Sequence, residues 1–434
     1  MLPLKNMLTI VLLLAVAACG GLPGPGTATM TPPVLTAAAT AEATAALTAE
    51  PAPATPVAET GPITLRVWLP PEFTPDTDTP SGRILAEQIS AFEAAHPDVA
   101  VEVRLKAASG PGGLLNALVT AANVAPTVLP NLVVLRRDDL ATVAAGGLVT
   151  PLDNLLPVEA LADYYPFAQA IGRANGAWVG LPFAADARVV AYLTNAYSNP
   201  PLRWDDLTVG TLSLPGTESS GLTVLSAYLA EGGTLADDEG QVRLEADVLA
   251  QTLERFQDLR AAGVLQPAGL DYADTAATWQ VFRDRRTTLA VTSAQLYMTE
   301  YFRVEGAAAT LLPTAGEPPI ALADGWSWAV VNVAPEHFAL CAELLAWLTA
   351  PEQQAPWTEA ANVLPTRAGT LAAWRAQRLV PFVSDVVTHA QLQPSATTLA
   401  VVGPPLRQAL SDVLSGRATP FAAATVAAEM VEQP

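Results

Sequence analysis

Ile63, Leu65 and Val67 alternate with Thr64, Arg66 and Trp68, the period-two pattern of a strand. The run SGRILAEQISAFEAAHP follows, with Leu85, Ile89 and Phe92 at helical spacing and Pro97 ending it. Val99, Val101, Val103 and Leu105 then alternate with Glu102 and Arg104, a second strand. A helical stretch at 113–122 leads to LVVL at 132–135, a continuous apolar run of the kind covered on both sheet faces. A strand–helix–strand–helix–strand succession predicts a parallel sheet with helices on both sides. The middle of the chain repeats the style with TLSLPG and then SSGLTVLSAYLAEGG, a helix capped by Ser219 or Ser220 and stopped by Gly232-Gly233. Leu249, Leu253, Phe256 and Leu259 form one helical stripe, and Leu340, Leu344 and Leu348 another. Two α/β lobes, each a mostly parallel sheet flanked by helices, are the expected architecture. Ligands of such sheets settle beyond the carboxyl ends of strands, so a cleft between the lobes is the expected site.

The ends of the chain add a location. Lys5, the apolar stretch Met7 to Val16 and the small residues Val16-Ala17-Ala18 have the three parts of a secretory signal, residues 1–18. The apolar part, about ten residues, is too short to span a hydrocarbon layer that needs about 20. Val16-Ala17-Ala18-Cys19 also resembles the bacterial lipobox, whose cysteine is lipidated; an ordinary signal peptide with a chance cysteine is the alternative. Residues 19–62 are rich in Pro, Ala, Thr and Gly and cannot bury a core, so a disordered tether is expected, reaching about 35 Å as a flexible coil. The folded body that follows is long enough for two domains. With Cys19 lipidated, Cys341 alone remains, which leaves neither an intramolecular disulfide nor a cysteine metal site; its setting in ALCAELLAWL is that of a small core residue. A formal charge of −20 without a basic stripe argues against a nucleic-acid partner.

Several motifs occur in a telling order. ITLRVW precedes FEAAHPDVAVEV; NLVVLRRDDLATVAAGGLVTPLDNLL follows, then NGAWVGLPFAADARVVAY and PPLRWDDL. GWSWAVV, LTAPEQQ, VLPTR and ALSDVLSGRATPFAAATVAAEM complete the series. In this order, from about residue 63 to 431, the chain resembles the extracellular solute-binding proteins of the sugar-uptake type (family 1), which feed ABC importers. The resemblance implies a two-lobe periplasmic-binding-protein-like fold of type II, closing on its ligand like a flytrap. It places one lobe at 63–184 plus 303–372 and the other at 185–302 plus 373–434. It further implies a monomer that hands a small polar solute, a carbohydrate, to membrane permease subunits outside the cytoplasm, with no cofactor, no metal and no chemical conversion.

A sugar presents hydroxyls and apolar C–H faces, so its site needs aromatic side chains for stacking and carboxylates for bidentate hydrogen bonds. Trp68 ends the first strand and Glu72 follows in a loop that lines the cleft in the family; plugging the lobe is the competing role of Trp68. Asp138 matches a position where the family places a sugar-binding acid, and helix capping competes. Asp186 stands where some relatives carry an acidic ligand residue, with an ion pair to Arg188 as its rival role. Glu218, with Ser219 and Ser220, lies between strand and helix, where capping competes with binding. Tyr297 lies just past TLAVTS, near a stacking tryptophan of relatives, although Leu296 occupies the nearest matching position. Trp326 and Trp328 share parity on one strand and so face one side; both look at the cleft or both are core, and Trp326 is the preferred cleft residue. Gly403 stands where some sugar binders have a platform tryptophan, which points to a ligand unlike a maltose chain.

Enzymatic readings find less support. His96, His337 and His389 are isolated, GWSWA departs from a nucleophile elbow at Ala329, and SGPGGLL lacks the Lys-Ser/Thr of a phosphate loop. A glycosidase needs only two carboxylates in a cleft and stays open, as does a lipoprotein that presents ligand to a membrane sensor.

Overall fold

The computed structural model describes residues 62–432 except 154, 208–209, 238, 316–318 and 332–336. Cys19, the signal segment and the tether up to residue 61 lie outside the described residues. The first elements are β1 (Ile63–Leu69), α1 (Pro80–Ala95), β2 (Val99–Leu105), α2 (Leu114–Val124), β3 (Leu132–Arg136) and α3 (Arg137–Ala145). After α4 (Pro166–Gly172) come a small hairpin, β4 (Arg173–Ala174) and β5 (Ala177–Trp178), and the strand β6 (Leu181–Leu193). Next stand β7 (Leu212–Ser213), α5 (Leu222–Ala230), α6 (Ala246–Ala261), α7 (Thr275–Arg283), β8 (Leu289–Ser293), α8 (Ala294–Glu300) and β9 (Ala307–Thr310). The chain continues through β10 (Ala321–Val330), α9 (Phe338–Thr349), α10 (Pro351–Ala361), α11 (Ala368–Ala372) and α12 (Val380–Thr388). It ends with β11 (Ala390–Leu392), α13 (Ala396–Leu414) and α14 (Pro420–Glu432).

The alternation at the start forms the parallel sheet it predicts, in the order β2-β1-β3. In β3, Leu132 and Val134 join one buried cluster with Leu65 and Val67, whereas Val133 and Leu135 join another with Leu114 and Leu118. The unbroken apolar run 132–135 is thus explained by helices on both faces. In α1 the Thr79 side chain accepts the N–H of Gly82 at 3.0 Å, Pro80 opens the first turn, and Leu85, Ile89 and Phe92 are buried.

Two long strands join the halves of the molecule. Among the described residues the sheet runs β2-β1-β3-β10-β6-β8-β7, with β11 beside β10 and β9 beside β6. The first part of β6 pairs antiparallel with β10, and its second part pairs antiparallel with β8 and β9. The outer pairings are therefore parallel, and the crossing strands introduce the antiparallel ones. The crossing is tight at Gly325, where a Cβ would lie 2.5 Å from the Ala184 carbonyl oxygen. A second large core gathers Leu225, Phe256, Leu406 and Ala424 from α5, α6, α13 and α14. Val383, Val386 and Val387 of α12 are buried with the first strand's side chains rather than in that second core.

One local expectation is corrected. The helix α5 is not capped by Ser219 or Ser220: its N-cap is Gly221 at φ 61°, and the Glu218 carboxylate accepts the N–H of Thr223 at 3.1 Å. Gly221 is tightly approached by α13, because a Cβ there would lie 2.9 Å from the Gly403 carbonyl oxygen. The reverse also holds, since a Cβ on Gly403 would come 2.5 Å from the Ser219 carbonyl oxygen. No side chain fits at 403, and a platform tryptophan there is sterically excluded.

Candidate functional site

A cleft of about 460 Å³ opens where β6 and β10 cross, and its lining includes Glu72, Asp186, Arg188, Gln295, Asp324 and Trp326. Such a volume lies within the range of small-molecule sites. Of the residues expected to meet a ligand, Glu72, Asp186 and Trp326 come together here.

Trp326 is half-buried and forms the aromatic wall. Phe73 meets it edge-to-face, with ring centroids 5.3 Å apart and planes at 89°; Phe73 in turn contacts Phe183 at 5.1 Å and Trp357 at 5.6 Å. Trp328 touches the same group through Phe183 at 5.3 Å but is fully enclosed. The shared parity of the two tryptophans places them against one aromatic cluster, as expected, yet the either-or expectation fails: one is cleft and the other is core. The β10–β6 register shifts between Trp326 and Ser327, and Trp326 sits nearer the cleft end of the strand. Arg136 is the direct cross-strand partner of Trp326, and its guanidinium lies over the indole 4.6 Å from the centroid.

The floor carries two acids. Asp186 and Asp324 are direct cross-strand partners on β6 and β10. Such a like-charge pair is unfavourable unless each is held. Arg137 approaches Asp324 at 3.5 Å. Asp186 accepts the N–H of Ala187 at 2.8 Å and of Gln295, in the first turn of α8, at 2.9 Å. The ion pair to Arg188 expected as its rival role is not formed; Arg188 turns to Glu218 instead. Burial raises the Asp186 carboxyl above its ordinary value of 3.8, against the lowering effect of these N–H donors, the Ser293 hydroxyl and Arg188. A carboxyl that titrates higher in the folded than in the unfolded chain contributes stability below the unfolded value, and that contribution is lost as pH rises through the folded one. Asp186→Asn keeps an oxygen for both N–H groups and removes the charge. The variant is therefore expected to be at least as stable as the parent at pH 7, with a flatter acid limb in thermal melts at pH 3–7, while binding its ligand less well; a lower melting point at pH 7 would contradict this.

The other expected residues lie elsewhere. Trp68 is 3% exposed and packs with Leu114, Leu118 and Val133 on the helix-covered face of β1, with the Lys106 ammonium 5.0 Å from its ring centroid. The end of β1 is covered on both sides, so Trp68 stands in a core, the competing role, and does not line the cleft. Tyr297 is buried on α8 against Phe382 at 4.9 Å, and burial pushes its hydroxyl up to about 12. Glu218 holds Arg188 through both oxygens at 2.9 Å. Asp138 receives the N–H of Ala396 at 2.6 Å and Arg137 at 3.0 Å, so it caps α13 from α3. Arg136, Asp324 and Gln295 were not picked out from the sequence. Arg136 lies two residues before Asp138, but only the β3–β10 register reveals that it faces Trp326.

Among the described residues no group of His, Cys, Asp and Glu side chains is arranged to hold a metal, and no helix is long and apolar enough to cross a membrane. Cys341 is buried and its thiol is pushed up to about 12, as befits a core residue.

Comparisons with solved structures reproduce this architecture. The cyclic α-maltosyl-1,6-maltose binding protein of Arthrobacter globiformis matches with a TM-score of 0.70 at 19% identity, over 86% of this chain and 98% of that one. The sugar-binding protein MalE from Xanthomonas citri matches with a TM-score of 0.70 at 18% identity, over 85% and 96%. An ABC transporter solute-binding protein from Thermotoga lettingae, bound with α-D-tagatose, matches with a TM-score of 0.63 at 20% identity, over 86% and 99%. The fold is thus the two-lobe, type II periplasmic-binding-protein fold, an α/β mixed sheet with flanking helices. The family model for bacterial extracellular solute-binding proteins matches residues 87–381. With the cleft lying at the crossing strands of this fold, the chain belongs to the bacterial extracellular solute-binding protein family.

Proposed function

We propose that this protein captures a small polar solute, a carbohydrate, between its lobes and delivers it unaltered to the permease subunits of an ABC importer. The carrying observation is the cleft at the β6–β10 crossing, where the Trp326 indole and the Asp186 and Asp324 carboxylates line one space. Indole and carboxylates are complementary to the C–H faces and hydroxyls of a sugar. The three solved structures named above are of a cyclic α-maltosyl-1,6-maltose binding protein, a sugar-binding protein and a solute-binding protein bound with α-D-tagatose. Lobes at 63–184 plus 303–372 and at 185–302 plus 373–434 would close about β6 and β10. Closure shifts populations only by the ligand's differential affinity for the two states. In this reading Cys19 carries the lipid after removal of residues 1–18, and residues 19–62 tether a monomer outside the cytoplasmic membrane beside its permease. No cofactor takes part.

A thermal-shift screen of the chain from Glu59 onward against sugars, polyols, amino acids and polyamines tests this. A ligand at a hundred times its dissociation constant adds about 2.7 kcal/mol of stability. A shift with saccharides that are recovered unchanged is the expected result; silence across saccharides, or hydrolysis of a glycoside, would refute it.

A further inference from the structure

We propose that Arg136 makes the cleft selective for a sugar that carries a carboxylate, such as a uronate. The inference rests on the carbohydrate reading above and narrows its ligand. Arg136 lies on the lining, exposed, and its cross-strand pairing with Trp326 fixes it beside the stacking surface. The neighbouring cations are committed: Arg188 to both oxygens of Glu218, and Arg137 to Asp138 and Asp324. Arg136 forms no ion pair among the described residues; Asp139 feels its charge without pairing with it. What it does contact is the indole, 4.6 Å away.

A pyranose that stacks on Trp326 competes with that guanidinium for the ring. A neutral sugar displaces the cation and returns only hydroxyl hydrogen bonds. A sugar acid can take the indole surface and engage the displaced guanidinium through its carboxylate, in the two-pronged geometry that arginine favours. The carboxylates of Glu72, Asp186 and Asp324 on the same lining then serve as acceptors for ring hydroxyls. In a chain with 42 acidic and 22 basic residues, a cation left unpaired on a cleft wall is a group that discriminates.

The test is calorimetric titration of the purified protein with matched pairs, glucose against glucuronate and galactose against galacturonate, for the parent, Arg136→Gln and Arg136→Lys. The acid of one pair is expected to bind at least tenfold tighter than its neutral partner. Arg136→Gln should erase that preference and lower the ligand-free melting temperature by no more than about 2–4 °C, the loss of one cation–π contact. Arg136→Lys should restore part of it, because lysine keeps the charge without the fork. Neutral sugars that bind as tightly as their acids, with affinities indifferent to Arg136→Gln, would overturn the inference and leave the carbohydrate reading standing. Binding of no sugar of either kind, together with a non-carbohydrate hit in the thermal screen, would overturn both.

Discussion

Replacing Glu218 with alanine is expected to lower the unfolding free energy by about 3–5 kcal/mol, the cost of leaving one member of a buried ion pair unpartnered. The Glu218 and Arg188 side chains are each 11% exposed, and both carboxylate oxygens hold the guanidinium at 2.9 Å. The same carboxylate accepts the Thr223 N–H at 3.1 Å, so its loss also frees a donor at the start of α5. The damage would spread because Arg188 belongs to β6, the strand shared by both halves of the sheet. Urea denaturation reads the effect, and the double variant Arg188→Leu with Glu218→Leu should recover most of it, since an apolar pair leaves no orphaned charge. A loss below about 1 kcal/mol for the single variant would mean that the pair is screened like a surface bridge.

Trp326→Ala should weaken binding of the ligand found in the screen by about 2 kcal/mol, roughly thirtyfold, in the manner of a buried aromatic anchor. The ligand-free fold should suffer less. The variant loses an edge-to-face contact with Phe73, of order 0.5–1.5 kcal/mol beyond area burial, while Phe73, Phe183 and Trp357 still hold one another. Calorimetric titration beside a melt separates the two effects. Unaltered affinity, or a collapse of the fold comparable to that of Trp328→Ala, would show that Trp326 is a wall of the core and not a stacking surface.

How much of this was legible beforehand depended on range. Period-two alternation located β1 and β2, and the unbroken LVVL announced a strand covered on both faces, because those signals are local. Locality could not decide Trp68: its place at the end of β1 suits a cleft residue or a plug of the lobe, and only the packing of α2 and α3 against it makes it a core residue. Glu218 was drawn to a ligand by its place between strand and helix, and Asp138 by its match to a sugar-binding acid of the family. Both carboxylates instead accept N–H groups within the protein, Glu218 at the start of α5 and Asp138 at the start of α13. Asp186 was identified because some relatives carry an acidic ligand residue there, and Trp326 because it is an aromatic that shares parity with Trp328 on one strand. Their partners Asp324 and Arg136 were missed because antiparallel register between strands far apart in sequence leaves no local trace. Gly403 was read as a missing aromatic, and the structure supplies the reason: α13 crosses the 219–221 turn too closely for any side chain.

The proposed transport requires a ligand that draws two lobes together about β6 and β10 and leaves the cleft unaltered. Solution X-ray scattering of the chain from Glu59 onward, with and without saturating ligand, measures this directly, with the ligand recovered afterwards for analysis. A smaller radius of gyration with the ligand, and a solute recovered intact, is the result expected; an unchanged radius at saturation, or a solute returned as product, would contradict it.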